Sequence, residues 1–377
     1  MTTIDGARLQ ISWGLVAQYG DQVPLYFYSN LFVAHPHLRD MFPLGMAAQR
    51  DKLVTALGSV ISSVDDLPSV VPVLQQLGRD HRRFAVVRDH YPAVGGALLA
   101  TLEHFLGEDW TAELAADWTA AFNLVAGVMI EAAEADGHRP AWYEANVVTF
   151  ERRTAGVAVI RFRPTEPIPY RAGQSLSMEV ASRPRLWRYY SPATLPATDG
   201  SFEIHVRAVA GGPVSTALVQ GTRVGDLVRF GAPVGEDLVI GPGTGAGVVL
   251  IAGGTGVAPM KALLQQIELE GGRPVQLFWG GRRHFDLYDL AALEHLTRHP
   301  WARLVPCVSE EPSLAGSAEL GTAVEVALRH GSLGDQDVFV CGSPGMVDGT
   351  VGALAVAGVP PGRLHHERFG HQERWAT

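Results

Sequence analysis

The chain has little of several residue types, and each shortage excludes a class of protein. Among 377 residues there are two cysteines, Cys307 and Cys341, too few for a disulfide framework or a cysteine-ligated metal site. Only 18% of the residues are charged and the net charge is −9, so we expect no nucleic-acid partner. No apolar run approaches the ~20 residues that span a bilayer, and the first residues lack a signal-peptide pattern. These shortages predict a globular protein of the reducing cytoplasm without a membrane partner.

The first third of the chain has the apolar spacing of α-helices. Apolar residues recur every three or four positions over residues 8–135, for example at Leu25, Tyr28, Leu31 and Phe32. The segment 136–140, which contains glycine and proline, ends the last predicted helix. We therefore predict an all-α domain over residues 1–138.

In the remainder of the chain the spacing of the apolar residues changes twice. Alternating apolar residues with glycine and proline turns between them predict short strands at 146–150, 157–162 and 201–206. This spacing favours an antiparallel β-barrel over residues 139–243. Buried-strand patterns then occur at 248–251, 275–279 and 338–341, with a helix at 260–264 after the first. Strands that alternate with helices predict a doubly wound α/β domain over residues 244–377.

A glycine turn lies between the first of these strands and its helix. In Gly253-Gly254-Thr255-Gly256-Val257-Ala258-Pro259 the glycines let the backbone approach a pyrophosphate, and the helix N-terminus supplies N–H groups. The turn suits a dinucleotide phosphate, although any tight strand-to-helix turn can require glycine.

Two earlier motifs also suit a nucleotide. Arg188-Tyr189-Tyr190-Ser191 combines a guanidinium that can grip phosphate with an aromatic ring for a flat cofactor. Gly211-Gly212-Pro213-Val214-Ser215 can present N–H groups and a hydroxyl to a second phosphate at a helix start. An exposed strand end and an ordinary glycine turn are the alternative interpretations.

Taken in order with Cys341-Gly342 and the Glu367-Arg368-Phe369-Gly370 segment, these motifs resemble the ferredoxin–NADP reductase superfamily over residues 145–370. The resemblance implies that FAD is held by Arg188, Tyr190 and Ser191, with Gly212, Val214 and Ser215 near its pyrophosphate. It implies that the nicotinamide nucleotide is held by Gly253, Gly254, Thr255, Gly256 and Pro259. Cys341 and Gly342 would flank the hydride-transfer site, and Phe369 would cover the flavin ring.

The choice between NADH and NADPH is less clear. Arg282 and Arg283 follow the second predicted strand and can grip a 2′-phosphate, whereas Asp286 and Asp289 close by would repel one. The sequence slightly favours NADH.

The helical part contains a candidate haem ligand. His81 follows Leu74 and Leu77 at helical spacing, so its imidazole points into an apolar stripe, where it can bind iron or be an ordinary core residue. The segments 27–32, 38–42, 49–53 and 81–95 resemble, in order, the flavohaemoglobin globin domain. By this resemblance His81 binds the haem iron, Tyr28 and Gln49 form the distal hydrogen-bonding pair, and Tyr91 belongs to the proximal shell. Phe42 and Leu53 pack in the haem pocket.

Two positions depart from the family pattern. The family has a glutamate in the last globin helix beside the proximal histidine, where this chain has Ala135. It also has a lysine before that histidine, paired with the glutamate of the C-terminal motif, where Asp80 would face Glu367. The imidazole should therefore push less electron density toward iron, and Arg82 is a candidate replacement for the lysine.

By resemblance, the expected reaction is NAD(P)H-dependent nitric oxide dioxygenation to nitrate, with electrons passing from FAD to haem. The expected partners are dioxygen, nitric oxide and NAD(P)H, and the chain is expected to be a monomer. The alternatives are a divergent flavohaemoglobin that acts on another small or organic substrate, and a globin oxygen or redox sensor with a reductase module. A haemless helical interaction module is disfavoured by the joint presence of His81, Tyr28 and Gln49.

Overall fold

The computed structural model describes residues 4–63, 66–241, 247–310 and 317–367. These residues form two compact units. The helical unit contains residues 4–141 and the short segment 184–186, and the sheet unit contains residues 142–183 and 187–367.

The helical unit consists of α-helices joined by short 3₁₀ turns. Side-chain caps define two helix starts, because Asp5 accepts the N–H of Arg8 and Thr111 accepts that of Leu114. The larger core cluster of the helical unit includes Leu9, Phe27, Leu31, Leu102 and Trp118. The helices are α1 (Gly6–Ala17), α2 (Gln22–Ala34), α3 (Ala47–Ser62), α4 (Leu67–His81), α5 (Tyr91–Leu106) and α6 (Ala112–Ala135).

A close approach of α4 to α6 depends on one glycine. A Cβ atom on Gly78 would lie 2.2 Å from the carbonyl oxygen of Met129, so only glycine lets the two helix backbones meet there. Because Gly78 precedes His81 by less than one turn, this contact fixes the position of His81 relative to α6.

The buried face of α2 differs from the predicted one by a small rotation. Leu25 is 44% exposed, whereas Val23, Phe27, Tyr28 and Leu31 are buried. The buried stripe begins two residues earlier than the pattern suggested, because a segment that is apolar nearly all round does not define its own inner face.

Among the described residues, one helix is as long and apolar as a membrane-spanning helix. By length and composition alone, α6 could cross a bilayer. Its side chains Leu114, Trp118 and Ala121 belong to the core of the helical unit, as expected for the core helix of a globular domain.

The sheet unit begins with an antiparallel sheet whose strand order is β4-β3-β6-β1-β2-β5. A bridge between Pro192 and Ile204 joins the β4 end to β5, which closes the sheet toward the predicted barrel. Phe162, Phe202 and Phe230 pack against one another inside it. The elements are β1 (Tyr143–Thr154), β2 (Val157–Pro164), β3 (Ser175–Val180), β4 (Arg188–Tyr190), β5 (Phe202–Arg207), α7 (Pro213–Gly221) and β6 (Leu227–Val234).

The second sheet is parallel, with the strand order β10-β9-β8-β7-β11-β12. The chain proceeds from β7 in one direction and returns to the other side of β7 with β11, so the carboxyl ends of these two strands form the switch point where ligands bind. Its elements are β7 (Val248–Gly253), α8 (Val257–Leu269), β8 (Val275–Gly281), α9 (Leu290–Leu296), β9 (Ala302–Val308), β10 (Glu319–Leu320), α10 (Ala323–Arg329), β11 (Asp337–Cys341), α11 (Pro344–Val356) and β12 (Leu364–His366). This architecture confirms the predicted fold class.

Candidate functional site

The helical unit encloses an apolar cavity lined by α2 to α6. His81 lines it from the end of α4, and Tyr28 and Gln49 line it from α2 and α3. The other sequence-predicted residues of this site, Phe42, Leu53 and Tyr91, line the same cavity. Six positions far apart in the sequence thus meet around one space.

The hydrogen bonding of His81 suits a metal ligand. Burial lowers the pKa of His81, which favours the neutral imidazole. Its Nδ1 lies 2.7 Å from the carbonyl oxygen of Leu77, so Nδ1–H donates to that oxygen. The lone pair of Nε2 is then available to iron, as a haem-binding histidine requires.

Tyr28 is 6% exposed and hydrogen-bonds to Gln49. Burial, only partly opposed by the Gln49 hydrogen bond, raises the pKa of Tyr28 to about 12, so the hydroxyl keeps its proton. Its ring packs edge-on against Phe42 at 5.5 Å between ring centroids. The arrangement holds a hydrogen-bond donor pair in an apolar space, where a polar ligand on iron would be stabilised.

The proximal surroundings of His81 contain no carboxylate among the described residues that line the cavity. Ala135 and Glu131 line a separate surface groove, and Glu134 pairs with Arg88 at 2.7 Å. No carboxylate of α6 therefore replaces the glutamate that the family has where this chain has Ala135. A backbone carbonyl is a weaker hydrogen-bond acceptor than a carboxylate, so the imidazole is less electron-rich.

The charged residues beside His81 are paired within the helical unit. Asp80 lies 3.6 Å from Arg83, and Arg82 lies 2.8 Å from Asp136. Arg82 is thus held by Asp136, and its suggested role as a replacement for the family lysine stays a hypothesis. Sequence reasoning did not identify His90 and Lys52, which also line the cavity.

The sheet unit contains a second, larger cavity of about 950 Å³ at the switch point of the parallel sheet. Gly253, Gly254, Thr255, Gly256 and Pro259 line one side, and Cys341 and Gly342 line the adjacent side, all as predicted for a nicotinamide nucleotide. A Cβ atom on Gly256 would lie 2.3 Å from the carbonyl oxygen of Cys341. The two strand ends meet this closely because position 256 is glycine, and they form the backbone cradle that a dinucleotide phosphate needs.

The predicted flavin residues fall into two groups. Tyr190 and Ser191 line the cavity opposite the nucleotide turn, where an aromatic ring and a hydroxyl suit a flavin. Arg188 lies on the same strand outside the cavity lining, and its Nη1 donates to the carbonyl oxygen of Trp187 at 2.7 Å. Phe369 lies outside the described residues.

The predicted pyrophosphate residues cap α7. Gly212 is the residue before the helix, and Val214 is fully buried. The Oγ of Ser215 accepts the N–H of Val209 and lies 3.2 Å from the carbonyl oxygen of Gly212. Ser215 thus fixes the turn, and the three residues are not among those that line the large cavity.

Glu367 is a buried acid that sequence reasoning did not place in the site. Ser175 donates to one of its carboxylate oxygens at 2.9 Å, and Ser191 lies 3.5 Å from the other. Burial raises the pKa of Glu367 to about 7, against the lowering effect of the Ser175 hydrogen bond. A proton-holding group thus lies beside a cavity-lining residue of the flavin wall.

We predict that Glu367 makes folding stability depend on pH. Its pKa rises from 4.5 in the unfolded chain to about 7, so over this window the folded protein binds more protons. The free energy of unfolding should fall as the pH rises through the window, by on the order of 3 kcal/mol. Glu367→Gln should flatten this dependence in denaturant titrations at about pH 5 and about pH 8. Identical pH dependence in both proteins would contradict the assignment.

The structure retains only one of the two aspartates on which the preference for NADH was based. Asp289 is 3% exposed and does not line the cavity, so it cannot repel a 2′-phosphate there. Asp286 lines the cavity, but its carboxylate accepts the backbone N–H groups of Arg282 and Arg283 at 3.2 and 3.1 Å. The preference for NADH therefore rests on Asp286 alone.

Comparison with known proteins matches the chain in three consecutive parts. The globin family model matches residues 25–129, the oxidoreductase FAD-binding domain model residues 145–237, and the oxidoreductase NAD-binding domain model residues 250–352. The matched order is that of the helical part, the antiparallel sheet and the parallel sheet.

Two similar proteins match over nearly the whole chain, and a third matches the part that follows the globin match. A flavohemoprotein of Bacillus subtilis is 26% identical over 95% of this chain and 94% of its own length. A flavohemoglobin from Malassezia yamatoensis, solved with bound FAD and heme, has a TM-score of 0.76 at 19% identity and covers 98% of this chain and 99% of that one. The flavohem-like FAD/NAD-binding domain of a nitric oxide dioxygenase from Vibrio cholerae has a TM-score of 0.54 at 22% identity and covers 60% of this chain and 98% of that one.

The cavities and the comparisons agree on the cofactors. The cavity with His81 suits haem, the wall with Tyr190 suits FAD, and the glycine turn suits a nicotinamide dinucleotide. The chain is a globin joined to an oxidoreductase with FAD- and NAD-binding domains, which is the arrangement of the flavohemoproteins that it resembles over nearly its full length.

Proposed function

We propose that the chain is an NAD(P)H-dependent nitric oxide dioxygenase. Each nitrate would form from one nitric oxide, one dioxygen and one electron, with a hydride from NAD(P)H supplying two such electrons through FAD. Haem, when bound, would supply the redox-active iron that accepts these electrons and binds the gas. The globin-and-oxidoreductase arrangement of the chain supports electron delivery to haem, and the name of the Vibrio cholerae relative supports this substrate.

The observation that carries the proposal is the pairing of Tyr28 with Gln49 in the cavity that His81 also lines. His81 offers a neutral nitrogen to iron, and Tyr28 holds a proton that can be donated to a polar ligand on the iron. The Tyr28 hydroxyl and the Gln49 amide place hydrogen-bond donors in an otherwise apolar cavity, so the pair is suited to a ligand that accepts hydrogen bonds, such as dioxygen bound to iron. On the reductase side, Thr255, Gly256 and Gly342 line the cavity in which the nicotinamide nucleotide would bind.

The direct test is a sequence of additions to the purified protein. NADH is added without oxygen, then air, then a pulse of nitric oxide, while the flavin and haem absorption bands are recorded. The proposal predicts bleaching of the flavin, reduction of the haem, and rapid return of ferric haem with stoichiometric nitrate. If the haem reduces but nitric oxide produces no nitrate, the proposed substrate is wrong. The low electron density on His81 would then favour a divergent flavohaemoglobin with another small or organic substrate.

Tyr28→Phe should weaken dioxygen affinity about tenfold, because one hydrogen bond to a polar ligand contributes roughly 1–1.5 kcal/mol. The measurement is an oxygen equilibrium on the dithionite-reduced protein. Haem content should not change, since the ring still packs against Phe42.

Tyr26→Phe is the matched control for this variant. Tyr26 lies on the same helix, stacks on His104 at 4.1 Å and does not line the cavity. Its substitution should leave dioxygen affinity unchanged. Equal affinities in the Tyr28 variant and the control would show that the Tyr28 hydroxyl does not reach the ligand.

A further inference from the structure

The chain has only two lysines, and one of them is buried in the sheet unit. Lys261 on α8 is 7% exposed. Its Nζ lies 2.7 Å from Oε1 of Glu203 and 2.7 Å from Oδ2 of Asp289. A buried ammonium costs desolvation energy, and this geometry places it against two carboxylates that offset the cost.

The Lys261 site continues as a chain of hydrogen bonds. Oε1 of Glu203 lies 2.9 Å from Nε2 of His205, and Nδ1 of His205 lies 2.8 Å from the hydroxyl of Tyr288. Although burial opposes ionisation, the His205 hydrogen bond and the Lys261 charge hold the pKa of Glu203 well below its usual range. An ionised carboxylate only accepts, so Nε2–H of His205 donates to Glu203, and Nδ1 forms the other hydrogen bond of the ring with the Tyr288 hydroxyl.

The acidic members of this network have further cationic neighbours. Arg153 lies 3.5 Å from Asp289, and Arg161 lies 3.6 Å from Glu203. The ligand atoms of Glu203, His205 and Asp289 lie within 4.8 Å of one another, a spacing that could hold a divalent cation. The Lys261 ammonium binds both carboxylates of this trio, so the chain supplies its own fixed cation.

The network connects strand β5 of the antiparallel sheet to helix α8 of the parallel-sheet part, next to the large cavity. Glu203 and His205 are on β5 of the antiparallel sheet, and His205 lines the cavity together with Arg207. Lys261 is on α8, and Asp289 directly precedes α9. Its members therefore tie the barrel strand that borders the cavity to the helix that follows the glycine turn.

The other end of the network reaches the glycine turn itself. The Tyr288 ring packs edge-on against Trp279, with 5.5 Å between centroids and 86° between planes. Nε1–H of Trp279 donates to the carbonyl oxygen of Gly254 at 2.9 Å. A continuous series of contacts thus runs from Lys261 through His205 and Tyr288 to the backbone that holds the nucleotide.

We propose that Lys261 is a positioning residue for hydride transfer, which through Glu203, His205 and Tyr288 sets the glycine turn against strand β5, the strand bridged to the chain that follows the proposed flavin residues Tyr190 and Ser191. Reaction rates depend steeply on the separation of the reacting atoms, and a misplacement of about 1 Å can cost about a hundredfold. Lys261 does not line the cavity, and it acts only through the contacts described. The proposal concerns flavin reduction by NAD(P)H and holds whether or not nitric oxide is the final substrate.

Lys261→Met tests the proposal because it keeps the apolar stem and removes the ammonium. The full-length protein, loaded with haem and FAD, is mixed with increasing NADH without oxygen, and bleaching of the flavin is followed by stopped flow. We expect the limiting rate of flavin reduction to fall at least tenfold, while the FAD content and the rate of reduction by dithionite stay unchanged. A limiting rate within twofold of the unmodified protein would overturn the proposal. If Lys261 only stabilised the fold, its loss would lower the unfolding temperature and leave the limiting rate unchanged.

Two further variants keep the test decisive if Lys261→Met does not fold. Tyr288→Phe removes one hydroxyl and keeps the ring against Trp279, and it should reduce the limiting rate about threefold to tenfold. Gln266→Met, on the same helix, is the matched control, since Gln266 bonds only Glu270 at the surface among the interactions described for it. Equal limiting rates in Tyr288→Phe and Gln266→Met would exclude a positioning role for the network.

Discussion

The His81→Ala protein is expected to contain no stoichiometric haem and a full complement of FAD. His81 lines the apolar cavity with its Nδ1 proton committed to the Leu77 carbonyl, so its Nε2 is the nitrogen offered to iron. FAD binding depends on residues of the sheet unit, which the substitution does not touch. The measurement is the ratio of haem to FAD to protein, from pyridine haemochrome absorbance and from flavin released by denaturation.

Two additions make this experiment specific. His104→Ala is the control, because His104 is an exposed histidine of the same unit that stacks on Tyr26 and does not line the cavity. Imidazole added to His81→Ala during haem reconstitution should restore haem absorption in part, since the cavity created accepts a free ligand. Stoichiometric haem in His81→Ala without imidazole would show that another residue, with His90 the first candidate in the cavity lining, binds the iron.

The fold class could be predicted from the sequence because each domain repeats its own period over many residues. Helical spacing in the first third, alternation in the middle and buried strands separated by helices at the end are signals that add up along the chain. The inner face of α2 could not be predicted in the same way. Val23 and Leu25 are both apolar, and only packing against the other helices buries the first and exposes the second.

The sequence predicted candidate site residues where the functional groups belong to residues that are adjacent in the chain. The glycine turn at 253–256 and the Tyr190-Ser191 pair both line the cavity, and both are local patterns. The buried partners of Glu367 and Lys261 were not predicted, because they lie about 60 to 190 residues away: Ser175 and Ser191 for Glu367, and Glu203 for Lys261. No local pattern in a single sequence reports such a pairing. The position of Asp289 was not predicted for the same reason, since its carboxylate is bound by Lys261 and does not line the cavity.

The strand order explains why a methyl group added at Gly256 should disturb the proposed nucleotide site more than the glycine motif alone suggests. Because β11 pairs with β7, the turn after β7 meets the end of β11, and Gly256 lies against the backbone of Cys341 and Gly342. In Gly256→Ala the new Cβ would lie 2.3 Å from the Cys341 oxygen and 2.7 Å from the Gly342 Cα. Backbone atoms cannot rotate aside, so the two strand ends must separate.

We therefore expect Gly256→Ala to lose NAD(P)H affinity at least tenfold while keeping FAD and haem. Overpacking costs roughly 1–3 kcal/mol, and about 1.4 kcal/mol corresponds to a factor of ten in affinity. The measurement is the NADH concentration that gives half-maximal flavin reduction without oxygen, alongside the cofactor content. Gly345→Ala is the matched control, since a Cβ there meets no atom within 4 Å and the residue lies in the first turn of α11. If Gly256→Ala and Gly345→Ala show the same NADH dependence, the nucleotide does not bind between the ends of β7 and β11.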